Sequence, residues 1–203
     1  MLIPYVLSVA LSYLLGSIPF ALVVGKLFYK TDIRQHGSGN LGGSNTGRVL
    51  GKKAGIAVMT LDLLKVTLVV YLAKVFCAHP WAVACGSVSA ALGHCYPVFV
   101  RFRGGKAVAA MYGFLFGLWI CAGHSPLVFF LPLATFLLVL FLFKIVSLSS
   151  ILSSLAAVFC LWTTSVHLSV KIAILIFSML IILRHSENIR RMLQGAERRI
   201  RWM

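Results

Sequence analysis

Apolar runs fill most of the chain, and short polar or basic breaks divide them at intervals close to the thickness of a bilayer. The runs cover about residues 4–25, 54–76, 81–100, 107–123, 126–143, 146–165 and 169–184. Each is near the roughly 17–25 residues a helix needs to cross the hydrocarbon layer, although those from 107 and 169 are short and are interrupted by glycine or bordered by charge. The pattern predicts an all-α membrane protein, a polytopic bundle of seven transmembrane helices forming one domain over residues 1–203. Met1 to Tyr5 carries no basic residue and its run is too long for a signal peptide, so it is read as part of the first helix.

Composition sharpens this picture. With 60% hydrophobic and 11% charged residues, the chain holds more apolar surface than a soluble domain of 203 residues can hide. Nineteen Lys and Arg stand against four acids, Asp32, Asp62, Glu187 and Glu197. Such a balance suits nucleic acid, anionic lipid or an anionic substrate, and insertion in a bilayer makes nucleic acid the least fitting partner. Seven crossings place the loops 26–53 and 101–106, the 143–146 junction and the tail from Arg184 on one side, with nearly all the cations; the other side offers only Lys74 and Lys171. Basic loops stay in the cytoplasm, so the amino terminus is expected outside and the carboxyl terminus inside. Five single cysteines without CxxC or Cys/His spacing read as small buried residues, and neither a metal nor a cofactor is expected.

The breaks carry the candidate chemistry. Gly37 to Arg48 reads GSGNLGGSNTGR, with five glycines among Ser38, Asn40, Ser44, Asn45 and Thr46. Glycine tolerates positive φ and has no Cβ, so N–H groups around Gly37 and Gly39 can converge on an anion, and the fork of Arg48 suits a phosphate or carboxylate. A flexible polar linker has the same composition. A second break, GHCYPVFVRFRGGKA from Gly93 to Ala107, puts Gly104, Gly105 and Lys106 at the start of a helix on the same face. There the ammonium and the helix terminus add their fields. The segment lacks GxxxxGK[ST] and a preceding buried strand, so ATP is not implied. Arg101 and Arg103 fit ordinary positive-inside anchors.

A third segment, RHSENIRRMLQGAE from Arg184 to Glu197, follows the last run. On a helix His185 and Asn188 share a face and Glu187 points elsewhere. The pair suits an interfacial position or hydrogen bonds to a phosphoryl oxygen, and the basic remainder suits anchoring to anionic headgroups. Inside the runs Asp62 and Lys65 are the costly residues, at about 2.5–3.5 kcal/mol each near the bilayer centre. Three apart, they can pair on one face as a structural clamp or as the wall of a polar cavity. Ser147 and Ser149, near the cytoplasmic edge, serve either helix packing or the site.

These segments, with GSIPFA at 16–21, LDLLK at 61–65 and VSLSSI at 146–151, resemble nearly end to end the signatures of the bacterial integral-membrane glycerol-3-phosphate acyltransferases that use acyl phosphate as donor. The resemblance implies transfer of a fatty acyl group to the 1-hydroxyl of glycerol 3-phosphate, giving lysophosphatidic acid and phosphate, at the cytoplasmic face of a bacterial inner membrane. It implies no cofactor and no obligate protein partner. It carries Ser38, Arg48, Lys106, His185 and Asn188 over as catalytic residues and Glu187 as a structural glutamate. Gly37, Gly39, Asn40, Asn45, His94, Gly104, Gly105 and Ser147, with Ser149 second to Ser147, are expected around the substrates, and Asp62 and Lys65 as support. Three positions depart from the family's usual pattern: GGSN for GATN, Lys65-Val66 for KG, and GGKA for GGKG. If the last requires positive φ, Ala107 strains the loop.

An acyl phosphate is an activated anhydride, so positioning and charge balance can supply much of the rate, with the donor's own phosphate or, second to it, His94 taking the hydroxyl proton. No HxxxxD pattern of acyl-CoA-dependent enzymes is present. The alternative is a small organic anion transporter, which needs polar groups through to the outer face and an internal repeat, neither of which the sequence offers. A lipid-binding scaffold explains the basic tail but not three phosphate-like breaks on one face.

Overall fold

The structure, a computed structural model, describes the backbone of residues 2–200 and the side chains of residues 5–200. Arg201 and Trp202 of the basic tail, and Met1, lie outside the described residues. In chain order the helices are α1 (Leu2–Gly16), α2 (Phe20–Tyr29), α3 (Gly43–Leu50), α4 (Lys52–Cys77), α5 (Pro80–Cys95), α6 (Val108–Ile120), α7 (Leu127–Phe143), α8 (Val146–Thr163), α9 (Leu168–Arg184) and α10 (Ser186–Leu193). Single 3-10 turns lie at Ile33–Gln35 and Val98–Val100, and no strand occurs among the described residues.

Four segments are long and apolar enough to cross a bilayer: Tyr5–Tyr29, Lys52–Cys77, Pro80–Val100 and Val146–Thr163. The first breaks between α1 and α2 at Pro19, which has no N–H to donate, just after the helical bond from Ser17 to the Tyr13 carbonyl. A fifth arises if α9 and α10, bent by 57° at His185, count as one, and α6 and α7 are shorter apolar helices in the places of two predicted crossings. The chain is thus an all-helical membrane protein.

Packing follows small residues. α1 lies along α5, α4 along α5 and α6, α7 along α8, and α9 along α5 and α8. In lipid, close backbone approach substitutes for the hydrophobic drive. Phe114 of α6 stacks on Phe177 of α9 with centroids 5.2 Å apart, and both rings are fully buried.

A feature absent from the sequence reading is α3, inside what looked like a continuous glycine-rich loop. Its composition favours no helix, since each interior glycine costs about 1 kcal/mol. Packing overrides propensity: α3 lies flat on the start of α4, where a Cβ on Gly55 would sit 2.7 Å from the Gly47 Cα. Beneath it a satellite core of Leu22, Val24, Ile33, Leu41, Val58 and Val100 holds the loop from Thr31 to Gly42 against α2 and α4. At the far end of the bundle, His79 and His167 cap α5 and α9, with rings 6.4 Å apart.

Candidate active site

A cavity of about 560 Å³ opens where α3, the start of α6, α8 and the α9–α10 corner meet. Ser38, Arg48, Lys106, His185 and Asn188, from three distant stretches of sequence, all line it. Of the further predicted residues, Asn40, Asn45, His94, Ser147 and Asp62 line it too. Gly37, Gly104, Gly105, Ser149, Lys65 and Glu187 do not, and Gly39 lines a neighbouring groove with Arg34, Arg101 and Arg103 that shares Ser38. Ser149 turns away, its hydroxyl bonded to the Ile145 carbonyl, and Glu187 is exposed on the outer face of α10.

The glycine-rich loop works differently from the anion nest its composition suggests. Gly37 and Gly39 adopt φ of +65° and +68°, turning the loop so that the Ser38 N–H donates to Asn45 Oδ1 at 2.8 Å. Asn45 donates back to the carbonyls of Ile33 and His36. Its side chain is therefore committed to the loop. The N–H groups of Gly43 and Ser44, which open α3 without a side-chain cap and border the cavity, suit an anion. Nearby, Asn40 borders the cavity, and its Oδ1 is buried with no hydrogen-bond partner among the described residues.

The second glycine pair is also committed. The Gly104 and Gly105 N–H groups donate to the Cys95 and His94 carbonyls, at 3.1 and 2.9 Å, so neither is left for a ligand, and it is the next residue, Lys106, that lines the cavity. Lys106 donates to Asn188 Oδ1, and Asn188 Nδ2 donates to Glu197 Oε1 at 2.6 Å. The same carboxylate accepts from Ser147 at 2.9 Å and from Arg191 Nε at 2.8 Å. Burial lowers the Lys106 ammonium to about 8, with Arg191 and other cations adding to the shift and Glu197 opposing it. For Glu197, burial acts against the charge, yet bonds from Asn188, Arg191 and Ser147 outweigh it and hold the carboxyl below its ordinary range.

His185 sits in the bend between α9 and α10. A carbonyl can only accept, so the ring's Nδ1 carries a proton for Ile181 O at 2.8 Å, and Nε2 is its remaining polar atom. Below the polar floor lies a buried ion pair, Lys65 Nζ 2.7 Å from Asp62 Oδ1, with His94 Nδ1 within 3.4 Å of that oxygen. Lys65 also donates to the Ile18 carbonyl at the α1–α2 break. Lys65 thus ties α4 to the α1–α2 break, while Asp62 and His94 form part of the cavity wall.

Sequence reasoning missed Arg191, Glu197 and Arg198, which line the cavity because the tail folds back over it. The Ile200 N–H reaches the Lys144 carbonyl at 2.8 Å, tying the tail to the α7–α8 junction. Part of the segment read as a lipid anchor is therefore cavity wall. The deep half of the cavity is apolar, walled by Leu63, Val108, Tyr112, Phe129, Leu133 and Phe136. Phe129, the deepest along α7, is held by the rings of Tyr112, Phe116 and Trp119.

Residues 6–195 match the family model described as glycerol-3-phosphate acyltransferase. Curated proteins named glycerol-3-phosphate acyltransferase are 45% identical over 97% of this chain in both Geobacillus kaustophilus and Bacillus cytotoxicus, and 96% and 95% of those relatives is covered. Among solved structures, PlsY (YgiH), an integral membrane glycerol 3-phosphate acyltransferase in its glycerol 3-phosphate form, is 37% identical with a TM-score of 0.89, covering 97% of this chain and 96% of that one. Its lysophosphatidic acid form gives a TM-score of 0.88.

Proposed function

The chain belongs to the glycerol-3-phosphate acyltransferase family, and from that premise we propose that it transfers a fatty acyl group from acyl phosphate to the 1-hydroxyl of glycerol 3-phosphate. One observation carries the proposal: a single cavity joins a polar, strongly cationic end, with Arg48, Lys106, Arg191 and Arg198, to an end lined by Leu63, Tyr112, Phe129 and Leu133, side chains suited to a hydrocarbon tail. A site for two phosphorylated reactants, one of them lipidic, needs both ends.

Arg48, Lys106, His185 and Asn188 hold glycerol 3-phosphate, and Ser38 with the amino end of α3 holds the donor's phosphate while its tail lies along Leu63, Tyr112 and Phe129. The 1-hydroxyl oxygen attacks the acyl carbon, a new C–O ester bond forms, and the bond from that carbon to the phosphate oxygen breaks. The proton passes to the departing phosphate, so atoms and charge balance without a covalent enzyme intermediate. His94 suits supporting the Lys106 loop better than taking that proton: its Nδ1 faces Asp62 and Lys65, and its Nε2 lies against the Gly105 backbone. Fixed cations and N–H groups in a water-poor cavity lower the cost of bringing two anions together and of the charge developing on phosphate.

The predicted seven crossings, with the amino terminus outside and the site on the cytoplasmic side of a bacterial inner membrane, accord with cations gathered at the cavity end of the bundle. Purified protein in detergent tests the proposal. Phosphate release that requires acyl phosphate and glycerol 3-phosphate together is expected, with lysophosphatidic acid as the other product. Solute flux across vesicles without turnover would instead favour an anion transporter.

A further inference from the structure

The Arg184 side chain does not line the cavity, yet it ties together two of the segments that do. Its Nε donates to the Gly105 carbonyl and its terminal nitrogen to the Gly104 carbonyl, each at 3.1 Å. Its guanidinium lies over the Tyr96 ring, 5.2 Å from the centroid, and the Tyr96 carbonyl is fixed by the Tyr13 hydroxyl at 2.7 Å. From below, the same glycine pair is held by its N–H groups on the His94 and Cys95 carbonyls. The loop is thus gripped on both edges of its backbone.

Such a grip has a job to do. Ala107, directly after Lys106, sits at φ +60°, and a non-glycine residue in that region persists only where its surroundings over-determine it. Arg184 is also the last residue of α9, one position before His185 and four before Asn188, the acceptor of Lys106. One planar fork therefore fixes the Lys106 loop to the corner that presents both residues.

We propose that Arg184 is a positioning residue for the acyl transfer, setting the Lys106 ammonium against His185 and Asn188 by its two-carbonyl grip on Gly104 and Gly105. This rests on the functional reading above. The grip uses two separate donor nitrogens held in one plane, which a guanidinium has and an ammonium or an amide, with a single nitrogen, does not.

Arg184→Gln and Arg184→Lys are assayed against both substrates, and Lys106 is labelled with an amine-selective reagent across pH. Arg48, Arg184, Arg191, Glu197 and His185 surround that ammonium. In both variants KM for glycerol 3-phosphate is expected to rise roughly tenfold or more, as a displaced anchor implies, with KM for acyl phosphate changing less than about twofold. In Arg184→Gln the midpoint of Lys106 labelling, about 8 in the parent protein, moves upward, because a neighbouring cation is gone and the loosened loop admits water.

Full rescue by Arg184→Lys overturns the proposal, since charge without the fork then suffices. So does an equal loss for both substrates with a lowered Tm and unchanged labelling, which is the mark of a merely structural residue. Should the parent protein make no lysophosphatidic acid, the functional reading fails on its own, and the labelling of Lys106 decides Arg184 independently.

Discussion

Lys106 and Asn188, 82 residues apart in sequence, meet as donor and acceptor on the cavity wall. The contact closes a chain of hydrogen bonds from Lys106 through Asn188 and Glu197 to Ser147 and Arg191. It also pairs the cation of one break in the hydrophobic pattern with the amide of another.

The first prediction concerns pH. Burial has brought Lys106 to about 8, so its charge is complete well below that value and is lost as pH rises through it. Binding of glycerol 3-phosphate is expected to fall along an alkaline limb centred near 8, rather than near the ordinary lysine value of 10.5. Lys106→Arg, charged throughout this range, moves the limb upward if it retains activity, and Lys106→Met removes both limb and binding. KM for glycerol 3-phosphate measured from pH 6 to about 10 checks this.

Glu197 supports a second prediction. Its carboxyl is held below the ordinary value of 4.5, so it adds stability above that pH and the contribution disappears as pH falls through the lower folded value. Glu197→Gln leaves Arg191 without its carboxylate and loosens the tail. We expect a Tm lower by a few degrees near neutrality, faster proteolysis around Ala196 to Arg199, and a difference from the parent that shrinks as the carboxyl protonates in acid.

How much of this was visible in the sequence follows from what each signal measures. Apolar runs located the helices of the bundle because the bilayer imposes a length. Glycine and cation together marked Arg48 and Lys106 as candidates, whereas His185 and Asn188 stood out only as a polar pair on one helix face beside a basic run. Glu197 gave no such signal, since its partners come from α8 and α10 and only tertiary folding assembles them. The available hint was that one of four acids in the chain sits just after Gly195, within a run of arginines. α3 was illegible for the opposite reason: its helicity comes from contact with Gly55, against its own composition.

That contact yields a third prediction. A Cβ on Gly55 would lie 2.7 Å from the Gly47 Cα and 2.9 Å from the Gly43 carbonyl, both backbone atoms that cannot rotate aside. Gly55→Ala is expected to lift α3 from α4, costing about 1–3 kcal/mol as overpacking does. Because Arg48 and the Gly43 and Ser44 N–H groups move with α3, activity should fall by more than Tm implies. Gly51→Ala, where a Cβ meets nothing within 4 Å but φ is +94°, is the control for strain without collision.

Ala107 permits a prediction in which the terms nearly cancel. Its left-handed conformation costs roughly 1–2 kcal/mol relative to glycine. Ala107→Gly removes that strain but also one fully buried methyl, worth about 0.8 kcal/mol, and adds about 0.5–1 kcal/mol of backbone entropy to be lost on folding. Stability should therefore stay within about 1 kcal/mol of the parent, with activity retained. Ala107→Val has no such offset, because a β-branched residue at φ +60° adds strain inside a filled core. Thermal unfolding in detergent, with turnover measured beside it, separates the two variants.

The buried pair at Asp62 and Lys65 tests whether the floor of the site is a clamp. Both side chains are 2% exposed and 2.7 Å apart, so Asp62→Asn strips Lys65 of its counter-charge in a place water does not reach. A loss of about 3–5 kcal/mol is expected, the usual penalty for leaving a buried charge alone. Removing both charges, with Asp62→Asn and Lys65→Met, should recover most of that stability. The Ile18 carbonyl still loses one of its two donors, keeping the Phe20 N–H, so the break between α1 and α2 is expected to loosen. If the double variant folds with near-parent Tm and keeps turnover, the pair is structural support. If it folds as well but is inactive, Asp62 takes part at the cavity wall through its contact with His94.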